Sequence, residues 1–288
     1  MAARGCKKMK LVRFGEKGTE KPGLWHADGT VRDLSMLVHD IEGPVLSGEG
    51  LARLKWTDAS MLPVVAAGTR LGAPVAGVGK LIAIGLNYAD HAAEAGLAVP
   101  PEPVVFMKAT SSICGPYDAV EKPRGSQKLD WEVELAFVIG KRAKYVPEAD
   151  AMEHVAGYLI CNDISERGFQ IERAGQWVKG KSHDTFAPLG PWFVTRDEVA
   201  DPQALDMWLS VNGEARQKGS TATMVYGVAY LVHYLSQFMT LEVGDIITTG
   251  TPPGVGMGLK PPQFLSEGDV IELGISGLGQ QRQVVVQA

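Results

Sequence analysis

The sequence predicts an α+β fold that is mainly β, and three observations carry that expectation. Short apolar or alternating segments, bounded by Gly, Pro, Asn and Asp, recur along the 288 residues. One longer segment, 224–239, has a clear helical apolar stripe. Strand-like and helix-like segments do not alternate regularly, which argues against a doubly wound parallel sheet.

The elements follow in order. Residues 1–75 read as a small N-terminal α/β unit and 76–288 as a larger second domain. In the first, 10–14 and 23–26 are strand candidates. The turn signal Ala27-Asp28-Gly29-Thr30 lets 31–34 pair back. Residues 48–54 suit a short helix, and 69–80, rich in Gly, Pro and Ala, suit a connector. Residues 81–85 are a short apolar strand. Asn87 or Asp90 can cap a helix over 91–95 that Gly96 stops. Residues 131–139 are a strand candidate, and 155–164 form a second apolar run.

In 205–211, Leu205, Met207, Leu209 and Val211 share one side. Asn212-Gly213 then signals a hairpin. The helix at 224–239 gathers Met224, Val228, Leu231, Val232 and Leu235 on its stripe, with Ser220, Thr221 or Thr223 as cap. Gly244-Asp245 opens another strand, followed by the Gly/Pro-rich loop 250–258. Residues 270–286 form two last strands joined by a Gly turn.

Composition narrows the functional classes. A chain that is 45% hydrophobic and 21% charged is globular, not disordered. The 28 Lys and Arg against 33 Asp and Glu give a net charge of -5, with no basic block. Nucleic acid and anionic membranes are therefore poor partners. Cys6, Cys114 and Cys161 are odd in number, far apart and form no CxxC pair. This points to a reducing, cytoplasmic setting and away from structural zinc. Residues 1–10 are basic without a following apolar run, so they do not read as a signal peptide, and Met9 is a second candidate start. The apolar stretch 61–86 contains Pro63, Arg70, Pro74 and Lys80 and cannot span a membrane.

Several familiar motifs fail. Gly254-Val255-Gly256-Met257-Gly258 lacks GxGxxG spacing and leads into Lys260-Pro261-Pro262, not a helix. Gly79-Lys80 belongs to no P-loop, and there is no HExxH or GxSxG. Dehydrogenase, NTPase, zincin and α/β-hydrolase readings lose support.

What remains is a set of carboxylates. In Asp130-Trp131-Glu132-Val133-Glu134, a strand places Glu132 and Glu134 on one face. By spacing alone, a solvated outer face is the commoner explanation. However, 135–139 is apolar on both parities, which implies a buried strand, and buried carboxylates are paired or bind metal. Asp163 ends the second apolar run, where a turn or cap is as good an explanation as a cleft. Together Glu132, Glu134 and Asp163 would make an all-oxygen site for Mg²⁺ or Mn²⁺. His91 and Glu94, at i,i+3 on a helix, are either an ordinary surface pair or a carboxylate-oriented base. Lys181 is either solvated or, near a metal site, placed to hold a carboxylate or stabilise an enolate. The segment 249–254 is either a tight turn or a receptor for a substrate carboxylate.

Taken in order, these segments resemble the fumarylacetoacetate hydrolase family. The resemblance covers about 81–286. It rests on Gly85-Leu86-Asn87-Tyr88-Ala89-Asp90-His91, Asp130-Trp131-Glu132-Val133-Glu134-Leu135, Gly157 through Asp163, Lys181-Ser182, and Gly244 through Pro252. It implies a mixed β-sandwich roll, usually a homodimer, with Mg²⁺ or Mn²⁺ on Glu132, Glu134 and Asp163. His91 and Glu94 match the family's water-activating dyad. Lys181, Arg167, Gln170 and Thr251 fall on positions that contact substrate or transition state. Some members carry a basic residue where this chain has Leu86.

The activity so implied is hydrolysis of a C–C bond in an acylpyruvate or 2,4-diketo-3-deoxy sugar acid. Oxaloacetate decarboxylation, dioxo-acid isomerisation and ureidoglycolate lyase chemistry use the same kind of site. A metal-dependent keto-acid binding protein is the non-enzyme alternative. The dyad favours hydrolysis, because decarboxylation needs no activated water.

Overall fold

The computed structural model describes residues 9–90 and 99–288. His91 and Glu94, and the helix expected over 91–95, lie outside the described residues. The largest sheet among the described residues has eleven strands. Its spine runs Val31–Asp33, Lys21–Trp25, Lys10–Phe14, Ala187–Thr195, Val155–Asn162, Val133–Ile139, Ile246–Thr248, Leu81–Gly85, Val104–Lys108. A five-stranded sheet runs Glu214–Ser220, Asp206–Val211, Val270–Ile275, Gly279–Gln287, Val120–Lys122. Most neighbours are antiparallel, but Ile246–Thr248 lies parallel to Leu81–Gly85, so the larger sheet is mixed. No helix among the described residues is long and apolar enough to cross a membrane.

Alternation along the strands builds the core. Val133, Leu135, Phe137 and Ile139 pack with Met207, Leu209, Ile271 and Leu273 of the five-stranded sheet. The helix Val228–Phe238 adds Val228, Leu231, Val232 and Leu235 to the same cluster. The opposite parity, Ala136 and Val138, meets a second cluster with Leu46, Leu51 and Leu54 from the N-terminal unit. Both faces of the central strand are therefore covered, as its unbroken apolar run requires. The N-terminal strands continue the large sheet: Lys10 and Leu11 pair with Val194 and Phe193. Helix Gly48–Lys55 starts where Ser47 Oγ accepts from Gly50 N at 3.1 Å.

Several boundaries differ from expectation: the strand expected over 23–26 is Lys21–Trp25, the connector 69–80 holds strand Leu71–Gly72, paired with Phe14 and Arg13, and three further shifts have a cause in the hydrogen bonds. The helix expected from Met224 begins at Val228. Val225 N and Tyr226 N donate instead to the backbone and side-chain oxygens of Asn87, which fixes 224–226 outside the helix. Gln203 Oε1, 25 residues upstream, accepts from Val228 N, whereas Ser220 caps a short 3₁₀ turn. The strand expected from 131 begins at Val133, because side chains take the amides of Glu132 and Val133. Gly244-Asp245 is a turn, with Gly244 at φ 94°, and the strand starts at Ile246.

Phe137 is fully buried between the sheets. Phe137→Ala is expected to lower unfolding free energy by about 4 kcal/mol in urea titration. A loss below about 1 kcal/mol would contradict its central position in the core.

Candidate active site

The three carboxylates converge because of strand register. Glu134 pairs with Cys161, and Asp163 N donates to Glu132 O at 2.9 Å. Glu132, Glu134 and Asp163 thus leave adjacent chains at one sheet end, on the parity of Ala136 and Leu159. That face is covered by the N-terminal unit further along, but here it opens into a pocket. Each residue offers an oxygen within 4.8 Å of the others, and all three are buried.

Three carboxyl groups in so small a volume need compensation. Lys181 Nζ donates to Glu132 Oε2 at 2.6 Å and to Asp163 Oδ2 at 2.8 Å. Lys108 Nζ donates to Asp163 Oδ1 and to Ile164 O. Arg167 donates from NH2 to Glu132 Oε1 at 2.6 Å and from Nε to Asp130 Oδ2 at 2.8 Å. Asp130 also accepts from the amides of Gly256 and Met257, which ties the Gly-rich loop to the site.

These contacts set the protonation states. Burial disfavours the Glu132 carboxylate, but Arg167 and Lys181 outweigh it and hold the group at about 2. Glu134 Oε2 accepts from the Gly250 amide at 3.0 Å. Burial, with Asp163 and Glu132 alongside, pushes it well above the usual carboxylate range. Burial would lower Lys181, but Asp163 and Glu132 raise it, so it stays charged. Burial prevails at Lys108, whose ammonium is pulled down despite Asp163.

The donor set fits a hard divalent cation. It is all oxygen, and among the described residues Glu134 makes no ion pair of the kind that holds Glu132 and Asp163.

Arg167 and Lys181 ride on two very short helices, Arg167–Ile171 and Val178–Lys181. Such helices do not persist on propensity alone. Glu166 Oε2 caps the first by accepting from Phe169 N at 2.6 Å. Gly180 lets the second lie against it: a Cβ there would meet Glu166 O at 2.4 Å. Gln170 lines the pocket, and its Oε1 accepts from Arg167 at 3.1 Å. Thr251 also lines it, but its hydroxyl donates to Val133 O and accepts from Gln217 Nε2.

The structure thus brings together Glu132, Glu134, Asp163, Lys181, Arg167, Gln170 and Thr251. Sequence reasoning missed Lys108, Asp130 as the anchor of Arg167, and Gln217. A lysine ending an apolar strand was the available signal for Lys108.

Asp130→Ala would remove a buried partner of Arg167 and an acceptor for two loop amides. A stability loss of about 3 kcal/mol is expected by urea unfolding. A change below 1 kcal/mol would show that Arg167 needs only Glu132.

Comparison with known proteins shows the family. The fumarylacetoacetate (FAA) hydrolase C-terminal family model matches residues 80–286. A Burkholderia lata protein, named no more specifically than a hydrolase, is 61% identical over 276 residues, covering 96% of this chain and 98% of its own. The solved fumarylacetoacetate hydrolase from Exiguobacterium antarcticum is 40% identical, with TM-score 0.85, covering 97% of this chain and 100% of that one. Maleylpyruvate hydrolase from Sphingobium sp. SYK-6, solved with manganese(II) and pyruvate, is 32% identical, with TM-score 0.81 and coverage of 97% and 100%.

Proposed function

Because the chain belongs to the fumarylacetoacetate hydrolase family, we propose that it is a metal-dependent hydrolase of 2,4-dioxo acids, releasing pyruvate and a carboxylic acid. The observation that carries this reading is the buried carboxylate trio with Lys181 set between two of its members. A similar protein binds manganese and pyruvate together, which supports the same pairing here.

Glu132, Glu134 and Asp163 would hold Mg²⁺ or Mn²⁺. When bound, the cation supplies positive charge at the 2-oxo carboxylate end of the substrate. Lys181 lies where negative charge develops on the leaving pyruvate enolate, and its raised proton affinity keeps it cationic. Arg167, held by Asp130 and Glu132, orients Gln170 toward the substrate. Glu94 would polarise His91, which takes a proton from water. The water oxygen adds to the distal C4 carbonyl. The C3–C4 bond breaks, its electron pair passes to the enolate, and a proton at C3 completes pyruvate. Water is the only co-reactant, so the atoms balance.

The test is a panel of acylpyruvates, 2,4-dioxo-3-deoxy sugar acids and oxaloacetate, each with Mg²⁺, with Mn²⁺ and with EDTA. Pyruvate plus the matching carboxylic acid is expected by mass spectrometry, only with metal. CO₂ from oxaloacetate alone, or rearrangement without cleavage, would overturn the hydrolase reading. Full turnover after exhaustive chelation would overturn the metal site.

Glu132→Ala removes one ligand and the partner of two cations. It is expected to abolish Mn²⁺ binding by calorimetry and to cut kcat/KM at least a thousandfold. Unchanged Mn²⁺ affinity in a folded Glu132→Ala protein would place the metal elsewhere.

A further inference from the structure

The pocket is polar at its floor and apolar at its rim. The floor holds the carboxylates and Lys181, all buried. The rim is Leu86, Phe106, Ile171, Trp177 and Met257. Ile171 is 49% exposed and Met257 38%, so large apolar side chains stand open to water where a ligand would enter. Trp177 lies over the backbone of Gly85: a Cβ at Gly85 would meet its ring at 2.7 Å. Its edge packs on Phe106, with ring centroids 5.2 Å apart. Phe106 in turn lies under the Lys181 ammonium, 5.1 Å from the ring centroid. Leu86 has φ 54°, a backbone conformation that costs a leucine strain, yet it holds an apolar side chain at the pocket.

The cations of the pocket are already engaged. Lys181 and Arg167 face Glu132, Asp163 and Asp130. Among the described residues lining the pocket there is no other Lys or Arg. The Thr251 hydroxyl is spent on Val133 and Gln217. The rim therefore offers apolar surface to the far end of a substrate, with no lysine or arginine for a second carboxylate.

We propose that the natural substrates are acylpyruvates whose acyl group ends in an apolar alkyl or aryl tail, with Trp177 and Leu86 as specificity-determining residues. This rests on the hydrolase reading above. The keto-acid end sits at the charged floor, which leaves the acyl tail against the rim. A tail ending in carboxylate would meet apolar side chains there, with no further lysine or arginine of the described lining to pair with. A polyol tail would lose hydrogen bonds to water in the same way.

The experiment measures kcat/KM, with Mn²⁺, for straight-chain acylpyruvates of two to eight acyl carbons, benzoylpyruvate, and the matching ω-carboxy compounds. Values are expected to rise about threefold per methylene over the first few carbons. Each ω-carboxy compound should fall about tenfold or more below its methyl-ended counterpart. Trp177→Ala should flatten the dependence on chain length. Ile171→Arg, at an exposed position, should raise the ω-carboxy to methyl ratio at least tenfold.

Pyruvate release that ignores chain length, or favours the ω-carboxy series, would overturn the apolar-tail proposal and leave the hydrolase reading intact. No pyruvate from any acylpyruvate would overturn the hydrolase reading and this proposal with it.

Discussion

Charge compensation beneath the pocket organises this end of the molecule. Asp130, Arg167, Glu132, Lys181, Asp163 and Lys108 form an unbroken chain of alternating charge, each bonded to the next. A buried ion left without a partner is costly, so each of the six requires its neighbour. They come from separate segments: a two-stranded ribbon, the central strand and its neighbour, an edge strand, and two helices of five and four residues. Those helices have too few backbone bonds to be stable alone. Their place is set by Arg167 and Lys181, so the chemistry of the floor and the local fold are one arrangement.

A second constraint is neutral. Where the central strand approaches the floor, its backbone partners are side chains. Asn162 Oδ1 accepts from Glu132 N, and Gln217 Oε1 accepts from Val133 N. Gln217 also donates to Thr251 and to Pro252 O, which fixes the Gly/Pro loop against the strand. Asn162 continues through Gln283 to Gln281, all buried. Gln217, Gln281 and Gln283 belong to the five-stranded sheet. The sandwich is therefore joined by directed hydrogen bonds as well as by apolar packing. A fully satisfied network of this kind holds backbone positions more tightly than packing alone.

Legibility in the sequence followed the range of the interactions. Strand Leu81–Gly85, the Asn212-Gly213 hairpin and the Ser47-capped helix rest on neighbouring residues, and they were readable. The Glu132/Glu134 pair was readable because strand parity is local and the following apolar run implied burial. The start of helix Val228–Phe238 was not, because its amide partner is Gln203 and its preceding residues are held by Asn87. Lys108 was not either. Its burial depends on Asp163, 55 positions away, and its place at the end of an apolar strand is the one local sign that sets it apart from a solvated lysine. Local sequence could not separate a solvated Lys181 from a buried one, and the two carboxylates around its ammonium show it buried and paired.

The polarity gradient of the pocket follows from the same accounting. Every Lys and Arg of the described pocket lining holds an anion. That leaves no lysine or arginine of the described pocket lining free for the distal end of a substrate. A rim built under that condition can recognise a tail by apolar area or by shape. Trp177 over a bare Gly85, and Leu86 in a strained backbone conformation, supply both at the point where the strand leaves the sheet. On the proposed reading, reaction type and tail preference would then be set by different atoms. The carboxylates would receive the keto acid, and of the rim side chains only Phe106 touches the charge chain, under the Lys181 ammonium. Substitution at Leu86 or Met257 should therefore move specificity with little effect on the charge chain below them.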